Sequence, residues 1–212
     1  MIYRSQIECG TALFIGAHPD DIELGCGGTL AKLSRKNWRL TALVLTRGEI
    51  QSSNGGRDRV EEARRSLSLL GVSDIRFSNF RDTKVYENLK EAIVYVRALV
   101  DDLSPQRIYV PSREDNHQDH LAAYQAAMAA ANKSVPQVLS YETPSTAASF
   151  RPSLFEDISD TLQTKLEAIE MHETQSHEEY MSPDMIIVRA RFRGSQASLT
   201  EAEAFEVNKY VM

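Results

Sequence analysis

Short apolar runs alternate with segments of helical periodicity along this chain, and the alternation limits the folds that it can adopt. Strands separated by helices tend to lie parallel in one sheet, with the helices covering its faces. The expected strands are residues 11–17, 40–46, 75–77, 107–111, 137–142 and 185–192. The expected helices are residues 28–36, 57–70, 87–103, 119–132, 159–171 and a last one from about residue 199. The sequence therefore predicts an α/β fold with a mostly parallel sheet flanked by helices.

Local patterns add detail to three of these segments. Apolar residues in the third expected helix recur at three- and four-residue steps, which predicts that one face packs on the sheet. These residues are Ala92, Val96, Leu99 and Leu103. Thr200 and Glu203 have the spacing of a capping box, which favours the final helix. The loop 49–56, "EIQSSNGG", is expected to be the most mobile segment, either a lid or a turn.

The length of the chain predicts the number of domains, and its charge predicts the kind of partner. With 212 residues, the chain is long enough to bury one core and too short for two comfortable domains, so residues 1–212 are expected to form one domain. The formal net charge is -6, with 24 basic residues scattered among 30 acidic ones. No polybasic segment favours nucleic acid or an anionic membrane surface, so small molecules are the expected partners.

Cysteine content and hydropathy predict a soluble cytoplasmic protein. Cys9 and Cys26 form no CxxC pair and no framework of disulfides, which fits a reducing compartment, and Cys26 is expected to be a buried filler. The N-terminal "MIYRSQIECG" lacks the apolar region of a signal peptide. No segment approaches the roughly 18 apolar residues that span a bilayer.

The segment "AHPDDIELGCGGTL", residues 17–30, follows the first expected strand and carries an imidazole beside two adjacent carboxylates. His18, Asp20 and Asp21 stand where the catalytic and binding groups of open α/β sheets usually lie. Ionisable groups crowded at a strand end desolvate poorly unless a compensating charge is present, and a cation is the simplest one. This loop is therefore a candidate for holding a metal ion.

The glycines of the same segment invite a second interpretation, a dinucleotide-binding loop. A GxGxxG pattern starting at Gly25 needs glycine at position 30, where Leu30 stands. The preceding acidic residues would also repel a pyrophosphate. Gly25, Gly27 and Gly28 are expected instead to permit a tight turn and close helix packing.

A second cluster, "PSREDNHQDH" at residues 111–120, follows another expected strand. His117 and His120 are three residues apart and share a face if a helix begins there, with Asp119 between them. A His-x-x-His pair on its own is more often solvated or satisfied in the core. Because both His/Asp clusters follow strands of one sheet, a shared site explains them better than two coincidences.

The two clusters together resemble the LmbE/PIG-L family of metal-dependent N-deacetylases. "AHPDD" and "HQDH" carry the resemblance, and "LTRGE", "RVEEA", "LLG", "YETPS" and "DISDTLQTKLEAIEMHETQ" are similar in order and spacing over most of the chain. The resemblance implies a Rossmann-like fold and a zinc ion that serves hydrolysis of acetamides on amino sugars. The protein could also form a homo-oligomer.

The resemblance implies roles for the clustered residues. His18, Asp21 and His120 become the ligands of a catalytic Zn²⁺, leaving positions open for water and substrate. Two histidines and one carboxylate also describe Fe²⁺ oxygenases, so another divalent metal such as Fe²⁺ stays open. Asp20 becomes the general base, and the presence of such a base favours hydrolysis. His117, oriented and kept charged by Asp119, is expected to stabilise the tetrahedral intermediate or protonate the leaving amine.

Arg59 and Asp82 are the expected substrate contacts. Arg59 matches the arginine of the family's Arg-x-x-Glu, although Arg57 is close enough to take that role, and a solvated arginine at the start of a helix is an equal alternative. Asp82 in "FRDTKVY" is expected to contact the sugar or to cap a turn.

Two further expectations concern residues outside these roles. Some relatives carry a tyrosine just before the His-x-Asp-His motif, where Asp115 and Asn116 stand here, so that hydrogen-bond donor is missing or comes from elsewhere. His172 and His177 are expected to be surface residues.

Competing functions remain at this stage. One is a non-catalytic or nucleotide-binding Rossmann module whose acidic loop is incidental. Another keeps the metal but acts on a phosphoester or a different amide, although basic groups that would favour phosphate are scarce in the two loops. The identity of the sugar and of its aglycone is not readable from the sequence.

Overall fold

A computed structural model describes residues 9–131 and 134–211 of the chain. The expected helix end at Asn132 and most of the N-terminal segment examined for a signal peptide lie outside these residues. The strands are β1 Thr11–Gly16, β2 Arg39–Val44, β3 Asp74–Phe77, β4 Arg107–Pro111, β5 Gln137–Tyr141, β6 Leu154–Asp157 and β7 Ala202–Tyr210. The helices are α1 Asp21–Arg35, α2 Arg57–Leu69, α3 Leu89–Leu103, α4 Gln118–Ala131, α5 Leu162–Glu170 and α6 Pro183–Gln196.

The strands of the described residues form one mostly parallel sheet in the order β3-β2-β1-β4-β5-β7-β6. The first five of these strands in that order pair in parallel, whereas β7 runs antiparallel to both β5 and β6. The predicted α/β fold with a mostly parallel sheet flanked by helices is therefore confirmed. In the described part of the chain, no helix is both long and apolar enough to cross a bilayer.

Alternate residues of the central strands feed two cores on opposite faces of the sheet, as expected for the two-residue repeat of a strand. Leu13 and Ile15 of β1 lie in a core that α3 and α4 cover. Ala12 and Phe14 lie in the other core, against α1. The apolar stripe predicted for α3 is confirmed, because all four of its residues are buried in the first core.

The prediction of a strand at residues 185–192 is wrong, because helix α6 occupies this segment. Its buried residues, Ile186, Ala190 and Gly194, are four apart, which is a helical face. The start signal is also present, since Pro183 stands in the first turn and the Ser182 side chain accepts a hydrogen bond from the Met185 amide. The apolar run at residues 185–188 also suits a buried strand, and the prediction followed that run instead of the helical spacing and the start signal.

The predicted final helix is also wrong, because β7 fills this stretch and pairs with β5 and β6. The supposed capping box has no helix to cap. Glu203 is instead buried on β7, and its carboxylate accepts hydrogen bonds from the amides of Gly28 (2.9 Å) and Thr29 (2.7 Å) of α1. The strand thus supplies a cap to a helix more than 170 positions earlier in the chain.

Helix α1 begins at Asp21, earlier than the predicted residue 28, and is interrupted at Cys26, which has non-helical backbone angles. The interruption is compensated by Lys165, whose ammonium group donates to the Leu24 carbonyl (2.8 Å) and pairs with Glu203 (2.6 Å). Cys26 itself is buried, as predicted.

Close packing rather than nucleotide binding accounts for two of the α1 glycines. A Cβ atom at Gly25 would lie 2.0 Å from Cδ2 of Tyr141, and one at Gly28 would lie 2.8 Å from Cγ2 of Ile158. The Tyr141 hydroxyl in turn donates to the Ile15 carbonyl (2.7 Å), which fixes the ring against the helix. The predicted close packing of the helix is confirmed at both positions.

Gly25→Ala is expected to lower the free energy of unfolding by about 1–3 kcal/mol, because the added methyl group overlaps the Tyr141 ring. Gly27→Ala is the control: its Cβ would meet Lys165 Cγ at 3.4 Å, an ordinary contact. Urea unfolding followed by circular dichroism measures both. Equal stability of the two variants would contradict the packing argument.

Candidate metal centre and active site

The two His/Asp clusters meet at the carboxyl ends of the neighbouring strands β1 and β4. His18 and His120 are 102 positions apart in sequence, yet Nδ1 of His18 lies 3.2 Å from Nε2 of His120. Asp82, which follows β3, lies beside them, with Oδ1 3.1 Å from Nε2 of His18. Because parallel strands bring their carboxyl ends to one edge, the chain order of these segments is enough to assemble the cluster.

Three side chains place possible metal-donor atoms close together. Besides the 3.2 Å between the two imidazole nitrogens, Nε2 of His120 lies 3.1 Å from Oδ1 of Asp21, and Nδ1 of His18 lies 3.6 Å from Oδ2 of Asp21. Ligands bound tetrahedrally at about 2.0–2.1 Å are separated by about 3.4 Å. The two oxygens of Asp21 face different imidazoles at separations close to this value, so the three residues form a candidate site for a small divalent ion.

The Asp21 carboxylate is fixed by the backbone at the start of α1. Its Oδ2 accepts hydrogen bonds from the amides of Ala17 and His18, both at 2.8 Å. Burial raises the pKa of Asp21, but the neighbouring His120 and His18 outweigh burial and hold the pKa well below its usual range. The carboxylate therefore stays ionised.

Each imidazole of this set presents its other nitrogen to a carboxylate. Nε2 of His18 lies 3.1 Å from Asp82 and 3.5 Å from Asp119. Nδ1 of His120 lies 3.1 Å from Asp115. A carboxylate behind a histidine fixes its tautomer and ring orientation, and metal-binding histidines almost always have such a partner. Burial lowers the pKa of His120, but Asp21 and Asp115 outweigh it and raise that pKa to about 9.

Asp115 was missed as a functional residue by the sequence analysis. Besides His120, its buried carboxylate accepts hydrogen bonds from the hydroxyl groups of Thr143 (2.5 Å), Ser145 (2.7 Å) and Thr146 (3.1 Å) in the loop after β5. Burial opposes ionisation of Asp115, but His120 and these hydroxyl groups lower its pKa below the usual range. The "YETPS" segment of the resemblance therefore has a physical role, since it holds the partner of His120.

Asp20 precedes α1 with φ 124°, a backbone conformation that non-glycine residues rarely adopt. Such strain persists only where surrounding contacts hold it, and it is frequent at functional sites. Burial raises the pKa of Asp20 to about 6, although the Arg59 guanidinium opposes the shift. A carboxyl group with this pKa exchanges a proton readily near neutral pH.

Arg59 pairs with Asp20. Its Nη2 donates to Oδ2 of Asp20 (3.0 Å) and to the Pro19 carbonyl (2.9 Å), and the side chain is only 2% exposed. Arg57, the alternative candidate, is exposed. Of the two arginines, Arg59 therefore lies at the site, where it holds Asp20. Its contact with a substrate, like that of Asp82, stays a prediction.

His117 lies half-buried beside the two other imidazoles, with ring centroids 4.6 Å from His18 and 4.7 Å from His120. Burial lowers its pKa, and His18 lowers it further. Its Nδ1 accepts the backbone amide of Asp119 (3.2 Å). The Asp119 carboxylate accepts the amides of Thr83 (2.6 Å) and Val85 (3.1 Å), so among the described contacts it does not orient the His117 ring as expected.

The donor groups open into a cavity of about 260 Å³. Ile50 and Gln51, from the expected mobile loop, form part of its wall within a short 3-10 helix, Glu49–Gln51. Tyr180 also lines the cavity and was missed by the sequence analysis, since nothing in "HEEYM" distinguishes it from a surface tyrosine.

The expectation that His172 lies on the surface is wrong. The residue is 1% exposed, and its Nε2 lies 3.0 Å from Oε1 of Glu23, which is also buried. Glu23 belongs to α1, so this pair ties the segment after α5 to the helix that carries Asp21. His177 is exposed, as predicted.

Known proteins share the part of the chain that contains the two His/Asp clusters. A family model described as PIG-L, GlcNAc-PI de-N-acetylase, matches residues 13–131, more than half of the chain and all of the donor residues described above. The chain belongs to the LmbE/PIG-L family of deacetylases. The resemblance inferred from the two histidine motifs is therefore confirmed.

Three similar proteins cover most of the chain. The uncharacterized deacetylase YaiS of Escherichia coli is 42% identical over 168 residues, which are 76% of this chain and 90% of YaiS. Diacetylchitobiose deacetylase of Thermococcus kodakarensis is 30% identical over 192 residues, 79% of this chain and 70% of that enzyme. The crystal structure of the conserved protein TT1542 from Thermus thermophilus has a TM-score of 0.84 and 26% identity, over 95% of this chain and 96% of that chain.

Arg59→Met is expected to destabilise the protein by about 3–5 kcal/mol, because Asp20 then remains buried without its cation. The matched control is Arg57→Met, which removes an exposed arginine two positions away and is expected to leave the unfolding midpoint unchanged. Thermal and urea unfolding of both variants measure the difference. Similar midpoints for the two would contradict the assigned pairing of Arg59.

Proposed function

We propose that this protein is a zinc-dependent N-deacetylase that hydrolyses the acetamide of an N-acetylated amino sugar. The observation that supports the proposal is the convergence of His18, Asp21 and His120, in which each imidazole lies 3.1–3.6 Å from an oxygen of Asp21 and the two rings lie 3.2 Å apart. The names of relatives support the substrate class, since the Thermococcus enzyme is called a diacetylchitobiose deacetylase. We also propose a cytoplasmic location, which the cysteine content supports.

The chemistry of the donor set favours zinc. Two imidazole nitrogens and one carboxylate oxygen leave part of the coordination sphere open, as in catalytic zinc sites. A divalent ion held there would polarise a carbonyl group and lower the pKa of water toward ~7. Fe²⁺ takes the same ligands, so the metal itself is to be determined on purified protein.

Two other donor sets compete with the proposed one. The ligand atoms of His18, His117 and His120 all lie within 4.8 Å of one another, and so do those of His18, Asp82 and Asp119. We assign His117 to catalysis because the Asp119 backbone amide donates to its Nδ1, which leaves Nε2 carrying the hydrogen. A protonated Nε2 cannot bind a metal, but it can donate a hydrogen bond.

Asp20 is the proposed general base. Its strained backbone and its ion pair with Arg59 hold the carboxylate next to Asp21 at the wall of the cavity. There it accepts a proton from the attacking water, and the proton passes to the departing amine. Arg59 keeps Asp20 ionised and oriented, so that the carboxylate is ready to accept.

His117 is the proposed donor to the oxyanion. Its lowered pKa keeps the ring neutral at pH 7, and its Nε2–H faces away from the Asp119 amide. A neutral donor stabilises the negative charge that develops on the acetamide oxygen in the transition state. Of the two roles expected for this residue, stabilisation of the tetrahedral intermediate therefore has the better support.

The alternatives are weaker on physical grounds. Tyr141 and Ile158 pack directly on Gly25 and Gly28, so a pyrophosphate has no room at these glycines. A phosphoester substrate would need free cations, whereas Arg59, the one Lys or Arg among the described lining residues, is paired with Asp20. Acetate release from a panel of N-acetylglucosamine conjugates by zinc-loaded protein tests the proposal. Silence over the whole panel would reject it.

Asp20→Asn is expected to retain stoichiometric zinc and to lower kcat about 10²–10⁴-fold, because it removes the base but no ligand. His120→Ala is expected to lose zinc as well as turnover, whereas His117→Ala keeps zinc and loses turnover. Metal analysis of dialysed protein, together with acetate release, separates these outcomes. Loss of zinc from His117→Ala would support the three-histidine set instead.

Asp115→Asn is expected to weaken zinc affinity about 10–100-fold, because His120 loses the carboxylate that orients it. Glu114→Gln is the control, since it removes one negative charge at the adjacent position without contact to His120. Competition with a chelating dye measures both affinities. Equal weakening in the two variants would point to net charge rather than to the Asp115–His120 contact.

A further inference from the structure

The charge around the cavity is strongly one-sided. Five carboxylates are buried at the site, three on the cavity wall and two directly behind the imidazoles: Asp20, Asp21, Asp82, Asp115 and Asp119. Among the described lining residues, Arg59 is the one lysine or arginine. Even with a divalent ion bound, the negative charges outnumber the positive ones.

Arg59 has little capacity left for a second anion. One of its terminal nitrogens donates to Pro19 and Asp20, and the other lies 3.5 Å from the Gly48 carbonyl and 3.3 Å from Oε1 of Gln51. Its Nε has no hydrogen-bond partner, but this atom is buried and so is not accessible to a ligand in the cavity. To pair with a substrate anion, it would have to leave Asp20 uncompensated in a buried position, which is costly. A carboxylate or phosphate entering the cavity would therefore lose water without gaining a partner.

The rest of the wall is apolar or carries neutral polar groups. Leu24, Ile50, Pro144 and Tyr180 contribute the apolar surface, while Gln51 and Ser145 offer uncharged hydrogen-bonding groups. The cavity has a volume of about 260 Å³. One pyranose ring suits this volume, with its C–H faces against the apolar residues and its hydroxyl groups on the polar ones.

We propose that the site selects uncharged N-acetylated sugars over conjugates that carry an anionic group next to the amino sugar, and that Tyr180 packs against the sugar ring. This inference rests on the proposed deacetylase function and narrows its substrate class. A neutral oligosaccharide or neutral glycoside is then the substrate, and conjugates with a carboxylate or phosphate beside the sugar are poor ones.

Two glycosides that differ only in charge test the proposal. The β-glycosides of N-acetylglucosamine with glycolamide and with glycolic acid have nearly the same shape. For the zinc-loaded protein, kcat/KM is expected to be at least tenfold higher for the glycolamide glycoside. The ratio should fall as salt rises from 20 mM to 500 mM, because salt screens the repulsion.

The outcomes separate failure of the charge selectivity from failure of the proposed deacetylase function. Equal kcat/KM values, or a preference for the glycolic acid glycoside, overturn the selectivity and leave the deacetylase function intact. If neither glycoside releases acetate, their dissociation constants on the unsubstituted zinc-loaded protein, measured by calorimetry, decide. Tighter binding of the neutral glycoside there keeps the selectivity although the proposed reaction fails, and equal binding overturns both.

A charge introduced at the cavity wall gives an independent test. Ile50 is 62% exposed and lines the cavity, so a longer side chain is accommodated there. Ile50→Arg is expected to reduce the preference for the neutral glycoside at least threefold, whereas Ile50→Gln, the uncharged control, leaves the ratio unchanged. An unchanged ratio in the arginine variant contradicts the electrostatic explanation.

Substitutions at Tyr180 test the packing of the sugar ring. Tyr180→Phe retains the aromatic face and is expected to keep KM within about twofold, whereas Tyr180→Ala raises KM about tenfold with a smaller effect on kcat, an energy of about 1.4 kcal/mol. Circular dichroism confirms that both variants fold. A kcat loss in Tyr180→Phe with unchanged KM would contradict a packing role.

Discussion

The mutual compensation of carboxylates and imidazoles at one sheet edge is the interaction on which this structure depends. Carboxylates buried so close together would repel each other if imidazoles, one guanidinium and backbone amides did not offset them. Each residue of the donor set is also held by a group outside the set. Asp82 contacts His18, Asp115 contacts His120, and backbone amides donate to Asp21. Four of the carboxylates also accept hydrogen bonds from the backbone or from hydroxyl groups, and Asp20 accepts one from Arg59: the four are Asp21, Asp82, Asp115 and Asp119.

The central sheet makes this arrangement possible without long loops. β1 and β4 are neighbours, so the segments that follow them emerge side by side. The first segment turns sharply at Asp20, and the helix that begins at Asp21 directs its first carboxylate back toward the strand end. The second enters α4, which places His120 in the first turn of the helix. The sheet therefore fixes the spacing of the donors, and the two turns fix their direction.

Much of this site was predictable from sequence, because its strongest residues lie in short contiguous motifs. His18, Asp20, Asp21 and His120 follow predicted strands, and parallel strands have a known polarity. Asp115 and Tyr180 were not predictable in the same way. Their roles depend on contacts with the loop after β5 and on the course of the chain after α5, and neither residue carries a local pattern.

The fold prediction failed in the C-terminal third for a related reason. The apolar run in α6 suits a buried strand as well as a helix, and local propensity does not decide between them. β7 contains alanine and glutamate, which are weak strand formers, and it becomes a strand because β5 and β6 offer it partners on both sides. The pairing partners decide this assignment, and they are distant in sequence.

The contact between Glu203 and the interrupted helix α1 has a consequence for biogenesis. The residues that converge around His18 are all synthesised by about position 120, but the helix bearing Asp21 lacks its carboxylate cap until β7 has left the ribosome. A chain that has not yet added β7 therefore lacks these two hydrogen bonds to α1. This end of the molecule thus depends on the strand that is synthesised last among the described elements.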